Sequence, residues 1–260
     1  MMPFLVLTVV FGLIVGSFLN VCIHRLPRGL SIVTPRSACP HCKAPIRPWE
    51  NIPLFSYLFL LGKCRNCGVR ISPRYPLVEF LNAILYLALF VHFGAGWHLP
   101  VLFALVSAML VITFIDLDFQ IIPDAITLPG IVIGLLSASF IFPDPFSLSY
   151  GQWPIVGFIN STTGFLLGGG LFYFIAYASR GGMGGGDVKM MAMVGAFMGW
   201  KAVLLTTFLG SLVGSVVGLF MMVFMGKGRK TKVPFGPFLA FGSLVTLFWG
   251  SVILQWYFSR

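Results

Sequence analysis

Long apolar runs separated by short polar turns dominate the chain, and their lengths predict membrane-spanning helices. The runs cover residues 4–21, 77–93, 99–115, 125–142, 154–178, 188–200, 202–225 and 235–257. Crossing a bilayer as a helix takes roughly 17–25 residues, and most of the runs reach that length. The alternating ten-residue segments of a transmembrane β-barrel are absent from the sequence. The run over 188–200 is short, so it has to be tilted, sheltered by neighbours or only partly inserted. Residues 1–15 have no basic n-region and no clear small-residue cleavage site, so the first run reads as a retained span rather than a signal peptide. The expectation is an all-α polytopic membrane protein of about eight transmembrane helices.

Composition agrees with that pattern. Of 260 residues, 58% are hydrophobic and only 9% charged, with a mean hydropathy of +0.95. A soluble domain is usually about one quarter charged. The net charge is +10, and nine of the 17 Lys and Arg fall between Arg25 and Arg74. A nucleic-acid partner is one reading of that cluster, but the positive-inside rule explains more. If residues 24–76 are cytoplasmic, eight alternating spans bring 15 of the 17 basic residues to that side and leave Lys201 and Arg260 outside. Nucleic acid is therefore not expected as a partner, and membrane lipid is. The same alternation places Asp116 and Asp187 on the cytoplasmic side together.

Three segments follow: a first transmembrane helix over 1–23, a cytoplasmic four-cysteine insert over 24–76, and a seven-helix membrane domain over 77–260. In the insert, Cys39-Pro40-His41-Cys42 and Cys64-Arg65-Asn66-Cys67 form two Cys-x-x-Cys knuckles separated by 21 residues. That spacing is similar to a structural zinc ribbon, in which each knuckle brings two thiolates to one tetrahedral ion. Nearby Arg and Lys lower the cost of gathering four thiolates. A redox pair and unliganded buried cysteines are the competing readings. Cys22, a lone thiol, reads as packing.

Two acids at the margins of apolar runs are the candidate chemistry. Asp116 follows the run over 99–115, and Asp187 ends the glycine-rich break Gly184-Gly185-Gly186. A carboxylate at an apolar helix end is costly unless solvated, paired or protonated. Two adjacent carboxylates share one proton near neutral pH; one can then activate a water while the other polarises a carbonyl. Helix ends favour a charged Asp187 and place the shared proton mainly on Asp116, within a pair that titrates as a unit. The glycines, Gly184 and Gly186 among them, would admit a substrate backbone. Asp124 reads as a helix N-cap, and Lys189 receives no catalytic role.

These residues in order resemble the type IV prepilin peptidases, membrane aspartic proteases of pilus and type II secretion systems. The resemblance rests on Gly16-Ser17-Phe18-Leu19-Asn20 with His24-Arg25-Leu26-Pro27, the two knuckles, Glu50-Asn51-Ile52-Pro53 and Arg74-Tyr75-Pro76-Leu77-Val78-Glu79. It continues through Asp116 seven residues before Pro123, Gly184-Gly185-Gly186-Asp187-Val188-Lys189 and Pro234-Phe235-Gly236-Pro237-Phe238. It implies cleavage of prepilin and pseudopilin leaders at the cytoplasmic face of a bacterial inner membrane, with Asp116 and Asp187 as the catalytic pair. Members that keep the four-cysteine insert often also N-methylate the new amino terminus with S-adenosylmethionine, and contact with the pilus or secretion assembly machinery follows from the same resemblance. Glu79 is then a candidate for methylation or substrate binding, against a plain ion pair with Arg74 or another basic residue. A proton- or cation-coupled transporter and a thiol-redox membrane protein are the competing classes.

Overall fold

The computed structural model describes residues 2–147, 154–179, 183–224 and 233–259. Arg180 and the basic turn carrying Lys227, Arg229, Lys230 and Lys232 lie outside the described residues. The helices are α1 (Met2–Arg25), α2 (Phe55–Phe59), α3 (Arg74–Phe93), α4 (Leu99–Phe119), α5 (Asp124–Phe140), α6 (Phe158–Ala178), α7 (Gly185–Phe224) and α8 (Gly236–Phe258). Six of the described helices are long and apolar enough to cross a membrane, and α5, at 17 residues, is a shorter apolar helix. The chain is an all-α polytopic membrane protein.

Two compact units divide it. The first comprises Met1–Leu99 with Val106–Val111, and the second Pro100–Leu105 with Ile112–Arg260. In the first unit α1 and α3 run antiparallel at near backbone contact, because glycines remove the side chains between them. A Cβ at Gly12 would lie 2.7 Å from the Ala83 Cα, and one at Gly16 2.7 Å from the Glu79 Cα. Buried amides tie the seam: Asn82 Nδ2 donates to the Gly12 carbonyl at 2.7 Å, and Asn20 Nδ2 to the Tyr75 carbonyl at 3.0 Å. Interhelical side-chain bonds of this kind hold helices together where lipid gives no hydrophobic drive. The insert between α1 and α3 is mostly turns and short 3₁₀ segments.

The second unit is built round α7, which is not a straight rod. Gly199 takes φ 80°, ψ 178°, a conformation essentially confined to glycine. As a continuous helix, α7 would hold Asp187 and Gly214 about 40 Å apart. Instead Asp187 lies within electrostatic range of Asp116. A Cβ on Gly214 would touch Phe238 and Phe235, next to Gly236, whose N–H reaches Asp116. The chain therefore doubles back at Gly199, and α7 is a hairpin of two legs. The boundary expected near Lys201 falls at this glycine.

The first leg is the core of the unit: Met190 through Gly199 are all buried. It meets α6 backbone to backbone, since a Cβ at Gly195 would fall 2.0 Å from the Gly164 carbonyl oxygen, and one at Gly168 would fall 2.2 Å from that of Met191. Ser161 Oγ adds a 2.5 Å bond to the Ala196 carbonyl. The second leg packs on α8, with Gly242 against the Thr206 carbonyl and a buried Thr206–Thr246 hydroxyl pair at 3.2 Å.

Gly195→Val should lower the thermal midpoint in detergent, because overpacking at backbone contact costs about 1–3 kcal/mol or more. Gly170→Ala, on a helix position with open space around it, should leave the midpoint unchanged or slightly raised.

Candidate functional site

The expected polar turn at Asp116 does not begin there. The α4 helix continues to Phe119, and Gln120 then ends it in the left-handed region at φ 54°, donating its N–H to the Asp116 carbonyl at 2.9 Å. Asp116 thus sits in the last helical turn, 5% exposed. Asp118, two residues on, is exposed, as expected for residues that cannot share a helix face.

Asp187 occupies the first turn of α7, with its N–H bonded to the Gly184 carbonyl at 3.2 Å. It is half-buried and lies close enough to Asp116 for the two carboxylates to interact. Gly186 has a packing requirement of its own: a Cβ there would meet the Ile122 Cβ at 2.8 Å. Gly184 and Gly185 have no such neighbour within 3.4 Å.

Gly236, quoted in a motif but given no role from sequence, belongs to the site. Its N–H donates to Asp116 Oδ2 at 2.9 Å, and a Cβ on it would stand 2.7 Å from the same oxygen. Gly236 is the first residue of α8, with Pro237 following as the helix begins. An α8 N-terminus therefore points at Asp116, as the α7 N-terminus does at Asp187. The asymmetry expected from helix ends falls away, since each carboxylate has a positive helix end against it. The signal in the sequence was Gly-Pro at a helix start, a pattern that favours helix initiation but does not say what the helix faces.

Asp124 also differs from expectation, and Lys189, which was given no catalytic role, is its partner. Lys189 Nζ bonds both Asp124 carboxylate oxygens at 2.7 Å, and Pro123, not Asp124, holds the N-cap position of α5. The pair ties the start of α5 to the turn that carries Asp187.

In the first unit, the sulfurs of Cys39, Cys42, Cys64 and Cys67 all lie within 4.8 Å of one another, with Cys39 and Cys67 3.9 Å apart. The knuckles share one backbone design. Cys39 N–H bonds the Ala44 carbonyl and Lys43 N–H the Cys39 carbonyl; Cys64 N–H bonds that of Val69 and Gly68 N–H that of Cys64. Lys43 and Gly68 occupy the same place, at φ 60° and 71°. The Ala44 N–H and then the Asn66 amide hold the Cys42 thiol down at about 6. Backbone N–H groups of Cys67 and Asn66 lower that of Cys64. Thiolates gathered this way suit one metal ion. Cys22 is buried outside the cluster.

Glu79 lies in α3, 8% exposed. Its Oε2 accepts the Leu54 N–H at 2.8 Å, and the Ser17 hydroxyl supplies its other hydrogen bond. Its partners are thus neutral donors rather than Arg74.

Two neighbouring carboxylates among the apolar helices, with a separate four-cysteine cluster, define a polytopic membrane protein carrying an aspartate pair and an insert whose four sulfurs could hold one metal ion. Residues 10–93 match the bacterial peptidase A24 N-terminal domain, and residues 103–219 the type IV leader peptidase family. The chain belongs to the type IV leader peptidase family. It is 38% identical to a prepilin leader peptidase/N-methyltransferase of Pseudomonas aeruginosa, over 98% of this chain and 94% of that protein. A protein of the same name from Legionella pneumophila is 38% identical over 95% of this chain and 92% of its own length. One from Myxococcus xanthus is 41% identical over 88% of this chain and 67% of its own. No solved structure matches the chain.

In chain stripped of metal, Cys42 should be the first of the four cysteines alkylated by iodoacetamide at pH 7, read by peptide mass spectrometry. Restored metal should slow alkylation of all four.

Proposed function

We propose that Asp116 and Asp187 are the catalytic pair of this prepilin leader peptidase/N-methyltransferase. Family membership carries the overall activity: a membrane enzyme that removes the leader of a prepilin and methylates the amino terminus thereby exposed. The observation that supports the aspartate assignment is the geometry of Asp116, buried in the last turn of α4, bonded by Gly236 N–H and facing Asp187. A buried acid with an acid neighbour is held in one protonation state as a pair, the condition that aspartic proteolysis uses. The ionised member takes a proton from water, and the protonated member donates a hydrogen bond to the scissile carbonyl as its oxygen gains charge. Gly236 N–H fixes one Asp116 oxygen, leaving the other to reach that carbonyl or the water.

On this reading α7 contributes two spans and α5 one, giving eight with the other five long helices. The charge bias puts the aspartates and the insert at the cytoplasmic face. The insert is zinc-ribbon-like, and Cys39, Cys42, Cys64 and Cys67 hold a structural zinc. Four thiolates around zinc at about 2.3 Å stand about 3.8 Å apart, near the Cys39–Cys67 separation. S-adenosylmethionine serves as methyl donor. The substrate's apolar helix lies among the spans while its leader stays in the cytoplasm, and the insert, itself basic, docks assembly machinery rather than attracting the leader.

Asp116→Asn and Asp187→Asn should each lower cleavage of a purified prepilin by about 10²- to 10⁴-fold or more, read by product mass. Full cleavage by both variants would sink the assignment. Gly236→Ala should cost about 10²-fold with the chain still folded, because its Cβ displaces the Asp116 carboxylate.

A further inference from the structure

The first unit encloses a cavity of about 730 Å³, within the size range of small-molecule and cofactor sites. The aspartate pair does not use it. Its walls come from the end of α1, the insert and the start of α3, and Cys39 and Cys64 are among the lining residues, so the four-cysteine cluster braces one side.

Charged side chains of both signs line it, and they differ in whether they have partners. On the helix side stands Glu79, buried, with Ser17 and Asn20 beside it on α1. Both hydrogen bonds to the Glu79 carboxylate come from neutral donors, and a buried carboxylate without a countercharge is costly. The insert side carries Arg36, Lys43 and Arg70, which have no ion-pair partner among the described residues. The other cations there are engaged: Arg25 bonds the Ser31 and Pro35 carbonyls, and Arg65 pairs with Glu50. A cavity in which Glu79 lacks a countercharge, Glu50 being paired with Arg65, and in which Arg36, Lys43 and Arg70 lack one as well, fits a ligand that is cationic at one end and anionic at the other.

We infer that this cavity is the methyl-donor site, with the Glu79 carboxylate facing the donor's sulfonium and the insert's Arg36 and Arg70 taking its carboxylate. The inference rests on the methyltransferase half of the proposed function and gives it a place. It also gives the four-cysteine cluster a use, as the brace of the wall that carries the bases. Glu79 acts by charge, so its effect must depend on the charge of the ligand.

The test compares two ligands on the full, metal-bound chain in nanodiscs by calorimetry: S-adenosylmethionine, a sulfonium, and S-adenosylhomocysteine, its neutral thioether counterpart. Glu79→Gln should weaken the sulfonium by about tenfold or more while holding the thioether within about twofold, which also shows that the variant is folded. Arg36→Ala combined with Arg70→Ala should weaken both ligands. Equal binding of the sulfonium by Glu79→Gln and wild type overturns the inference. So does a wild type that binds neither ligand, or one from which inorganic phosphate displaces the sulfonium while Glu79→Gln has no effect, the mark of a plain anion site. Neither cleavage nor methylation is read, so a chain that failed to cleave would count against the proposed function and leave this comparison standing.

Discussion

A carboxylate buried among apolar helices must find a donor, a partner acid or a proton, because the surroundings supply no water to solvate it. Asp116 meets that demand with the Gly236 N–H and the neighbouring Asp187. Much of the second unit can be understood from this requirement. The α8 helix has to begin where its first N–H can reach Asp116, and only a residue without a Cβ can begin it there. Residue 122 has to pack onto Gly186 for α7 to start beside α4. Gly199 has to reverse the chain so that the second leg returns to support α8 at the level of the aspartates. Gly236 and Gly186 each leave out a side chain where one from a neighbouring segment must fit, and Gly199 supplies a backbone conformation that other residues resist.

How far the sequence foretold this depends on the kind of signal. Apolar length is a strong signal, because the bilayer sets it, and the helices fall close to the expected runs. Ends were less legible. The α4 helix overran its apolar run to include Asp116, Asp118 and Phe119: Asp118 lies on an exposed face, and buried Asp116 is accommodated by the Gly236 N–H. Between Met190 and Phe224 the only charged residue of α7 is Lys201, which set the expected boundary; the turn is made two residues earlier by the conformation of Gly199, which no apolar pattern marks.

The site was legible where chemistry constrains residue type. Asp116 and Asp187 were singled out as acids at apolar margins, and the structure brings them together. The four cysteines were singled out by spacing, and their sulfurs converge. What sequence could not provide was the direction of backbone groups. The N–H that reaches Asp116 belongs to a glycine 120 residues away, and no side-chain pattern encodes that contact. For the same reason the expected proton asymmetry was incomplete: it counted the two helices that carry the acids and not the third whose first N–H meets one of them. Asp124 and Lys189 each had an ordinary local explanation, and their pairing across 65 residues needed the fold.

The first leg of α7 has ten consecutive buried residues, Met190 to Gly199, without one side turned to lipid or water. Most membrane helices keep a lipid-facing stripe on which one apolar residue replaces another at little cost. This leg has none, and its Gly195 lies against the α6 backbone rather than against side chains that could move aside. Substitution there should be purged along the whole length of the leg, although the aspartate at its head is the sole residue of that helix proposed to touch the peptide bond. A mutational screen that equated intolerance with catalysis would draw the active site along this leg and take a supporting pillar for chemical machinery.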